Sequence, residues 1–451
     1  MVRPVTNAAL EALLHAAGYR NAHGALARQL NHAGRRYGTW RYDAASVYWW
    51  LRGRRPSDLV QEVMAGTIAR KLGRPVAVRE LGFADATPAL NSAYPTSARS
   101  AIDAAQRLWA ILATRPNSRP GEEVEGGTAL QAAIAWRYDL PDKTVASTGR
   151  QPVTTADVET LHVLADHFLD LDRRHGGGSH QARALMADLL VRQVTPMLGG
   201  TYTDAVGHDF MRAVATLSGQ LAFMCYDAGD HAIAQHHLII ALRLAKATDD
   251  RLLGAHLLAN LATQAMYLGH AQDAARLAEA AIDGAGRAPA TVRARLYTTA
   301  ASAYGRSGEK RACQNALGRA ERAVDRSHSA GEPRWVGYFT PAHFAGAALG
   351  CLGDLQLYRQ ALRHAPDAIA LAPQNTRTRA LHTALIATTH VRAGDLDAAC
   401  SWGRELAHHA RDIHSVRVTR RVRELARSLG RHRTVPEVEE VLLTINASPP
   451  Q

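Results

Sequence analysis

Lysine is nearly missing from this 451-residue chain, which has only Lys71, Lys143, Lys246 and Lys310. Arginine carries the positive charge instead, and 53 basic against 41 acidic residues leave a net charge of +12. Cysteine is equally scarce: Cys225, Cys313, Cys351 and Cys400 lie far apart with no CxxC pair. That argues against a disulfide framework and fits a reducing compartment. Aromatics are only 6%, and the dominance of alanine and leucine favours helix over sheet. No stretch reaches the ~18 apolar residues of a membrane span, and the N-terminus has no apolar signal-peptide run. A cytoplasmic protein without membrane contact is expected. HExxH, GxSxG, a Walker A loop and a strand-associated GxGxxG are all missing, so neither an enzyme nor a cofactor is expected and no catalytic residue is assigned. Among 22 histidines, the pairs His236–His237 and His408–His409 are adjacent and lack a cysteine or carboxylate at ligand spacing. No metal site is expected.

What is present is organised unevenly. Hydrophobic residues make up 47% and charged residues 21%, which excludes disorder throughout. Residues 1–83 hold thirteen basic and five acidic residues, so this stretch carries +8 of the net +12. Genomic preference explains arginine replacing lysine, but not this clustering. A basic end on a nearly neutral body points to a nucleic-acid-binding module on a separate scaffold. Residues 84–98 (ADATPALNSAYPTSA) read as a linker. Residues 99–199 read as connecting or capping helices (99–114, 127–136, 155–172, 180–198), with loops at 115–127 and 137–153.

Beyond residue 200 a repeat emerges. Gly229, Gly269, Gly308, Gly353 and Gly394 are spaced by 40, 39, 45 and 41 residues. Each ends an apolar helical stretch, where glycine supplies a left-handed turn. Seven residues before each lies Ala222, Ala262, Ala301, Gly346 or Ala387; five after lies Ala234, Ala274, Cys313, Tyr358 or Ala399. Twelve after lies Ala241, Ala281, Ala320, Ala365 or Leu406. Small residues at fixed offsets let two antiparallel helices cross closely. One such hairpin cannot bury its apolar face alone and must stack. The pattern resembles the tetratricopeptide repeat over roughly residues 200–430, with longer spacers; Tyr358 and Leu406 depart from it.

In the basic N-terminal stretch, Leu10, Leu13 and Leu14 form the stripe of a first helix. Asn21 can cap a second, with Leu26, Ala27 and Leu30 inward. Asp43 can cap a third that runs to about Arg52, with Gly53 ending it. Pro56 precedes a fourth helix whose apolar residues include Val63, Ile68 and Leu72. At 100° per residue, Val47, Trp50 and Leu51 form the core face of the third helix. Ala45, Tyr48, Trp49 and Arg52 fall opposite, suited to a major groove; burial of Tyr48 and Trp49 against a neighbouring helix is the alternative. Arg35, Arg36, Arg41, Arg54 and Arg55 flank the helix and could contact phosphates.

Residues 25–31 (ALARQLN), 42–56 (YDAASVYWWLRGRRP) and 67–83 (TIARKLGRPVAVRELGF) resemble the Cro/C1-type helix-turn-helix. They are closest to the form that opens actinobacterial transcriptional regulators containing tetratricopeptide repeats. Tyr42, Asp43, Ser46, Val47, Trp50, Gly53 and Pro56 fill that family's recognition-helix pattern. The connection at 34–42 is longer than the usual turn. The resemblance implies an all-α protein that binds double-stranded DNA through this module and dimerises through its solenoid. It also implies a response to a small-molecule or peptide effector. The plainer reading of the module is a basic cap on the solenoid. The alternative for the whole chain is a repeat adaptor whose basic module binds protein or nucleic acid non-specifically.

The first helix of each hairpin lines the concave face of such a solenoid. Counted from the anchor glycines, the groove positions are Thr216, Gln220, Phe223 and Asp227, then His256, Asn260, Thr263 and Tyr267, then Arg295, Thr299, Ser302 and Arg306. A row of hydrogen-bonding side chains there could hold a ligand, or could simply be wetted by solvent. The Gly-rich segment 169–180 (LDLDRRHGGGSH) could bind phosphate, but a flexible helix connection is the plainer reading. Pro333, Trp335, Tyr338 and Phe339 read as a core plug more than a ligand cage.

Overall fold

A computed structural model describes residues 5–35, 40–54, 56, 58–74, 76, 78–83, 94–114, 126–327 and 331–447. Arg36, Arg55, linker residues 84–93 and most of the expected loop at 115–127 lie outside them. All regular structure among the described residues is helical, apart from the isolated bridges Ser147–Tyr202 and Pro152–Thr201. None of these helices is long and apolar enough to cross a membrane. The chain divides into two compact units, Met1–Leu90 and Asn91–Gln451.

The first unit contains α1 (Ala8–Ala16), α2 (His23–Gly34), α3 (Ala44–Trp50), α4 (Asp58–Leu72) and a 3-10 turn at Val78–Leu81. Leu10, Leu14, Leu26, Leu30, Val47, Met64, Ile68 and Leu81 are buried together as its core. Asn7, not singled out by sequence, does two jobs. Its side-chain oxygen accepts from Leu10 N at 3.0 Å, and its amide donates to Leu81 O at 3.0 Å. One side chain thus caps α1 and fixes the end of the unit against its start. Asn21 does not cap α2: the helix starts at His23, the N-cap position is Ala22, and no side chain caps it. Asn21 lies one residue too early.

In the second unit, α5 (Ala98–Thr114) and α6 (Gly126–Tyr138) come first, then α7 (Thr155–His175) and α8 (His180–Leu189). A π turn at Leu190–Val194 and the short α9 (Thr195–Leu198) lead into the repeats. Antiparallel hairpins follow: α10 (Asp204–Asp227) with α11 (His231–Ala247), α12 (Arg251–Leu268) with α13 (Ala271–Ala285), and α14 (Ala290–Ser307) with α15 (Lys310–Val324). The next is α16 (Pro341–Asp354) with α17 (Tyr358–Leu362) and α18 (Ala365–Ile369). Then come α19 (Thr376–Ala393) with α20 (Leu396–His409), and α21 (Val416–Leu429) with α22 (Pro436–Ala447).

The small residues at the repeat offsets sit where the hairpins cross. Ala222, Ala262, Ala301, Ala387, Ala234, Ala274 and Cys313 are fully buried. Gly229, Gly269, Gly308 and Gly394 all adopt the left-handed conformation (φ +79 to +94°). Gly353 does not. It lies inside α16, and the left-handed residue is Gln356, at φ 60°. The outer helix of that hairpin is also split, because Pro366, in the first turn of α18, has no backbone donor with which to continue the helix from α17. Elsewhere glycine admits a neighbour. The indole of Trp136 in α6 lies over Gly254 and Gly284, where a Cβ on either would collide with it. All four cysteines are free and buried.

Candidate functional site

The inner helices of the hairpins surround a cavity of about 780 Å3 inside the second unit. Eleven of the twelve groove positions line it: Thr216, Gln220, Phe223, His256, Asn260, Thr263, Tyr267, Arg295, Thr299, Ser302 and Arg306. The register follows from the anchors, because counting back from each turn in steps of about one helical turn stays on one face.

Asp227 is the exception. It is 0% exposed and points away from the cavity, into the junction where the arc of helices closes on itself. It accepts from Gly177 N at 2.9 Å and from Ser415 Oγ at 2.8 Å, and the guanidiniums of Arg377 and Arg417 each approach to 3.4 Å. Asp172, from the last turn of α7, pairs with Arg377 at 2.6 Å. Burial raises the Asp172 carboxyl pKa against the pull of Arg377. Burial disfavours the Arg377 charge, yet Asp172 and Asp227 hold its pKa above the ordinary value.

The Gly-rich turn after α7 is therefore an ordered clasp and not a flexible connection. Gly178 N donates to His414 O at 2.7 Å, and His414 N donates to His175 O at 2.9 Å. A Cβ at Gly176, Gly177 or Gly178 would strike His414 O or the backbone of Met224. The glycines are needed because two backbones touch there. Arg173 Nε donates to Asn375 Oδ1 at 2.8 Å, tying α7 to the start of α19.

The aromatic segment at 333–339 divides. Phe339 and Val336 are core. Trp335 and Tyr338 line the cavity, with Pro333 and an edge of the buried Phe339 segment beside them. The Trp335 ring lies 4.6 Å from that of His256, tilted by 31°. Tyr338 Oη accepts from Arg295 Nε at 2.8 Å.

Most cavity arginines have a carboxylate. Arg212 pairs with Asp209 and Asp250, Arg334 with Glu159 and Asp166, Arg306 with Asp354, and Arg420 and Arg421 with Glu424. Three of the cavity histidines are held toward the neutral form. Burial, then the Arg295 charge, pushes His256 down to about 3. Burial, then His382, Arg173, Arg295 and Arg377, does the same to His343. His382 falls to about 4 through burial, although its Nδ1–H donates to Ala368 O at 2.7 Å. Among the described residues, no group of three or more His, Cys, Asp or Glu is placed to hold a metal ion.

The second region of interest is α3. Val47, Trp50 and Leu51 are buried, as its periodicity predicts. The helix ends at Trp50, followed by a turn in which Gly53 has φ +88°. Asp43 and Ser46 form a reciprocal capping box: Ser46 N and Ser46 Oγ both donate to Asp43 Oδ1 at 2.8 Å. Ser46, a DNA-contact candidate through its place in the recognition-helix pattern, is thus engaged within the cap, and these bonds lower the Asp43 carboxyl pKa. Asn31 donates to Tyr42 O and accepts from Tyr42 N, at 2.8 and 2.9 Å, anchoring the entry to α3.

Trp49 is 39% exposed, and Tyr48 is half-buried. The two rings meet edge to face at 5.5 Å. The Arg52 guanidinium lies 3.5 Å above the Tyr48 ring centroid. Arg35, Arg41, Ala45 and Arg54 are exposed.

Residues 10–84 match the SP15 N-terminal domain. That description names no helix-turn-helix, and the match covers the first unit alone. No curated protein matches the chain.

Proposed function

We propose that this chain is a sequence-specific DNA-binding transcriptional regulator. Its first unit acts as a helix-turn-helix module of the kind it resembles. Its second unit acts as a tetratricopeptide-like solenoid that dimerises and receives an effector in its cavity. One observation carries the DNA-binding part. The short, capped α3 buries Val47, Trp50 and Leu51 and leaves Ala45 and Trp49 outward, with Arg41 and Arg54 exposed at its two ends. An exposed apolar pair between arginines suits a groove that offers thymine methyls between phosphates. The cavity volume lies within the usual range for small-molecule sites. One short helix gives limited affinity, and two copies on two half-sites multiply it.

Selection of genomic DNA fragments by the purified chain tests the reading. A recovered palindromic motif, bound far more tightly than random DNA at physiological salt, is expected. Equal affinity for selected and random DNA would sink the regulator reading and leave the adaptor one. Light scattering on the free chain should report a dimer.

A further inference from the structure

Charge does not balance at one corner of the cavity. Among the described residues, Arg173 and Arg295 are the two lining arginines with no carboxylate within ion-pair distance. Arg295 is held instead by neutral acceptors: Tyr338 Oη, Asn260 Oδ1 at 3.2 Å and Thr299 Oγ1. These use three of its five N–H donors. Arg173 spends Nε on Asn375 and has its pKa lowered, first by burial. Arg173, Arg295, Tyr338 and His343 line the same cavity, and Tyr338, which accepts from Arg295, has its ring 5.7 Å from that of His343. A guanidinium cannot shed its proton to escape such a site. Two half-buried cations facing a cavity therefore await an anion, and the planar guanidinium matches carboxylate and phosphate oxygens.

Beside this corner lies an aromatic wall. Trp335 packs against His256 with the rings tilted by 31°, Tyr338 stands edge-on at 6.3 Å from His256, and all three line the cavity. His256 is uncharged at neutral pH, so the wall adds no charge of its own.

Resting on the effector-binding reading above, we propose that the cavity takes a small anionic ligand with an aromatic or flat apolar body. Its carboxylate or phosphate sits at the corner shared by Arg173 and Arg295, and its body lies against Trp335 and His256.

Two dyes with the same rings test this on the full chain without DNA. One is 8-anilinonaphthalene-1-sulfonate, an anion; the other is N-phenyl-1-naphthylamine, which lacks the sulfonate. The anion should bind about tenfold or more tightly than the neutral dye, the ratio expected for a charge-assisted hydrogen bond. Arg295→Gln should remove most of that ratio while the neutral dye binds as before. If Arg295→Gln loses both dyes because its neighbours collapse, Arg173→Gln carries the same prediction from the other side of the corner.

Equal binding of the two dyes, no binding of either, or an unchanged ratio in both variants would overturn the proposal. Displacement of the anionic dye by 4-phenylbutyrate or by phenyl phosphate tells carboxylate from phosphate. Equal displacement by 4-phenylbutyramide also overturns it. A chain that binds DNA but neither dye loses this inference alone. A chain that binds the anion but no DNA loses only the regulator reading.

Discussion

The clasp around Asp227 gives the sharpest prediction, and Asp227→Ala is the perturbation. In the native unit this carboxylate is fully buried and satisfies Gly177 N and Ser415 Oγ while facing two guanidiniums. Its removal leaves Gly177 N–H without its acceptor, Arg377 with one carboxylate in place of two, and Arg417 without the carboxylate it faces. Breaking a buried ion pair from one side costs about 3–5 kcal/mol, and an orphaned buried N–H costs about 1–3 kcal/mol. The two losses share one relaxation and do not simply add, so a total of about 3–5 kcal/mol is expected. Asp227→Asn keeps an oxygen for Gly177 and should cost less. Urea unfolding followed by far-ultraviolet circular dichroism reads the effect, because the second unit holds most of the helices. The midpoint should fall with little change in slope. A loss below about 1 kcal/mol would refute the reasoning, since the junction would then tolerate an unpaired buried charge.

Stability should also fall on acidification. His237 is fully buried, and burial, then His236, pushes it down to about 3. The unfolded chain takes up the proton first, near pH 6.5. The stability is therefore full above about 6.5 and is lost as pH falls toward 3. The contribution at pH 5 is about 2 kcal/mol, and an unchanged urea midpoint between pH 7 and 5 would contradict it. Gly254→Ala should destabilise by about 1–3 kcal/mol through overpacking against Trp136; an unshifted melting temperature would show that α6 is not seated there. On DNA, Arg41→Ala and Arg54→Ala should each lower the salt slope by about one and weaken all sequences alike. A changed ranking of sequences would place those arginines on bases.

Local periodicity made much of this molecule legible. Val47, Trp50 and Leu51 recur at helical spacing, so the buried face of α3 follows from the sequence. The anchor glycines and alanines mark helix crossings, and counting nine residues back from Gly229, Gly269 and Gly308 then places Gln220, Asn260 and Thr299 on the cavity wall. Periodicity is silent on contacts made across the arc. Asp172 meets Arg377 across 205 residues, and no spacing announces that pairing. Asp227 obeys the groove count but belongs to the last turn of α10, where the Gly-rich turn covers it. Gly353 obeys the glycine spacing, yet its helix runs on, and Gln356 makes the turn. Trp335 and Tyr338 fall outside the repeat register, so their place on the cavity wall depends on how the 333–339 segment folds back.

The clasp also sets a timetable for synthesis. A linear stack of hairpins can fold as each one leaves the ribosome, since each rests on its predecessor. The closing contact between Asp172 and Arg377 must wait for another 205 residues of chain. At ribosomal speeds of about 5–20 residues per second, that wait is roughly 10–40 s. Throughout it, the glycines at 176–178 lack the strand of backbone they are shaped to meet, and the arginines of the inner wall face bulk water.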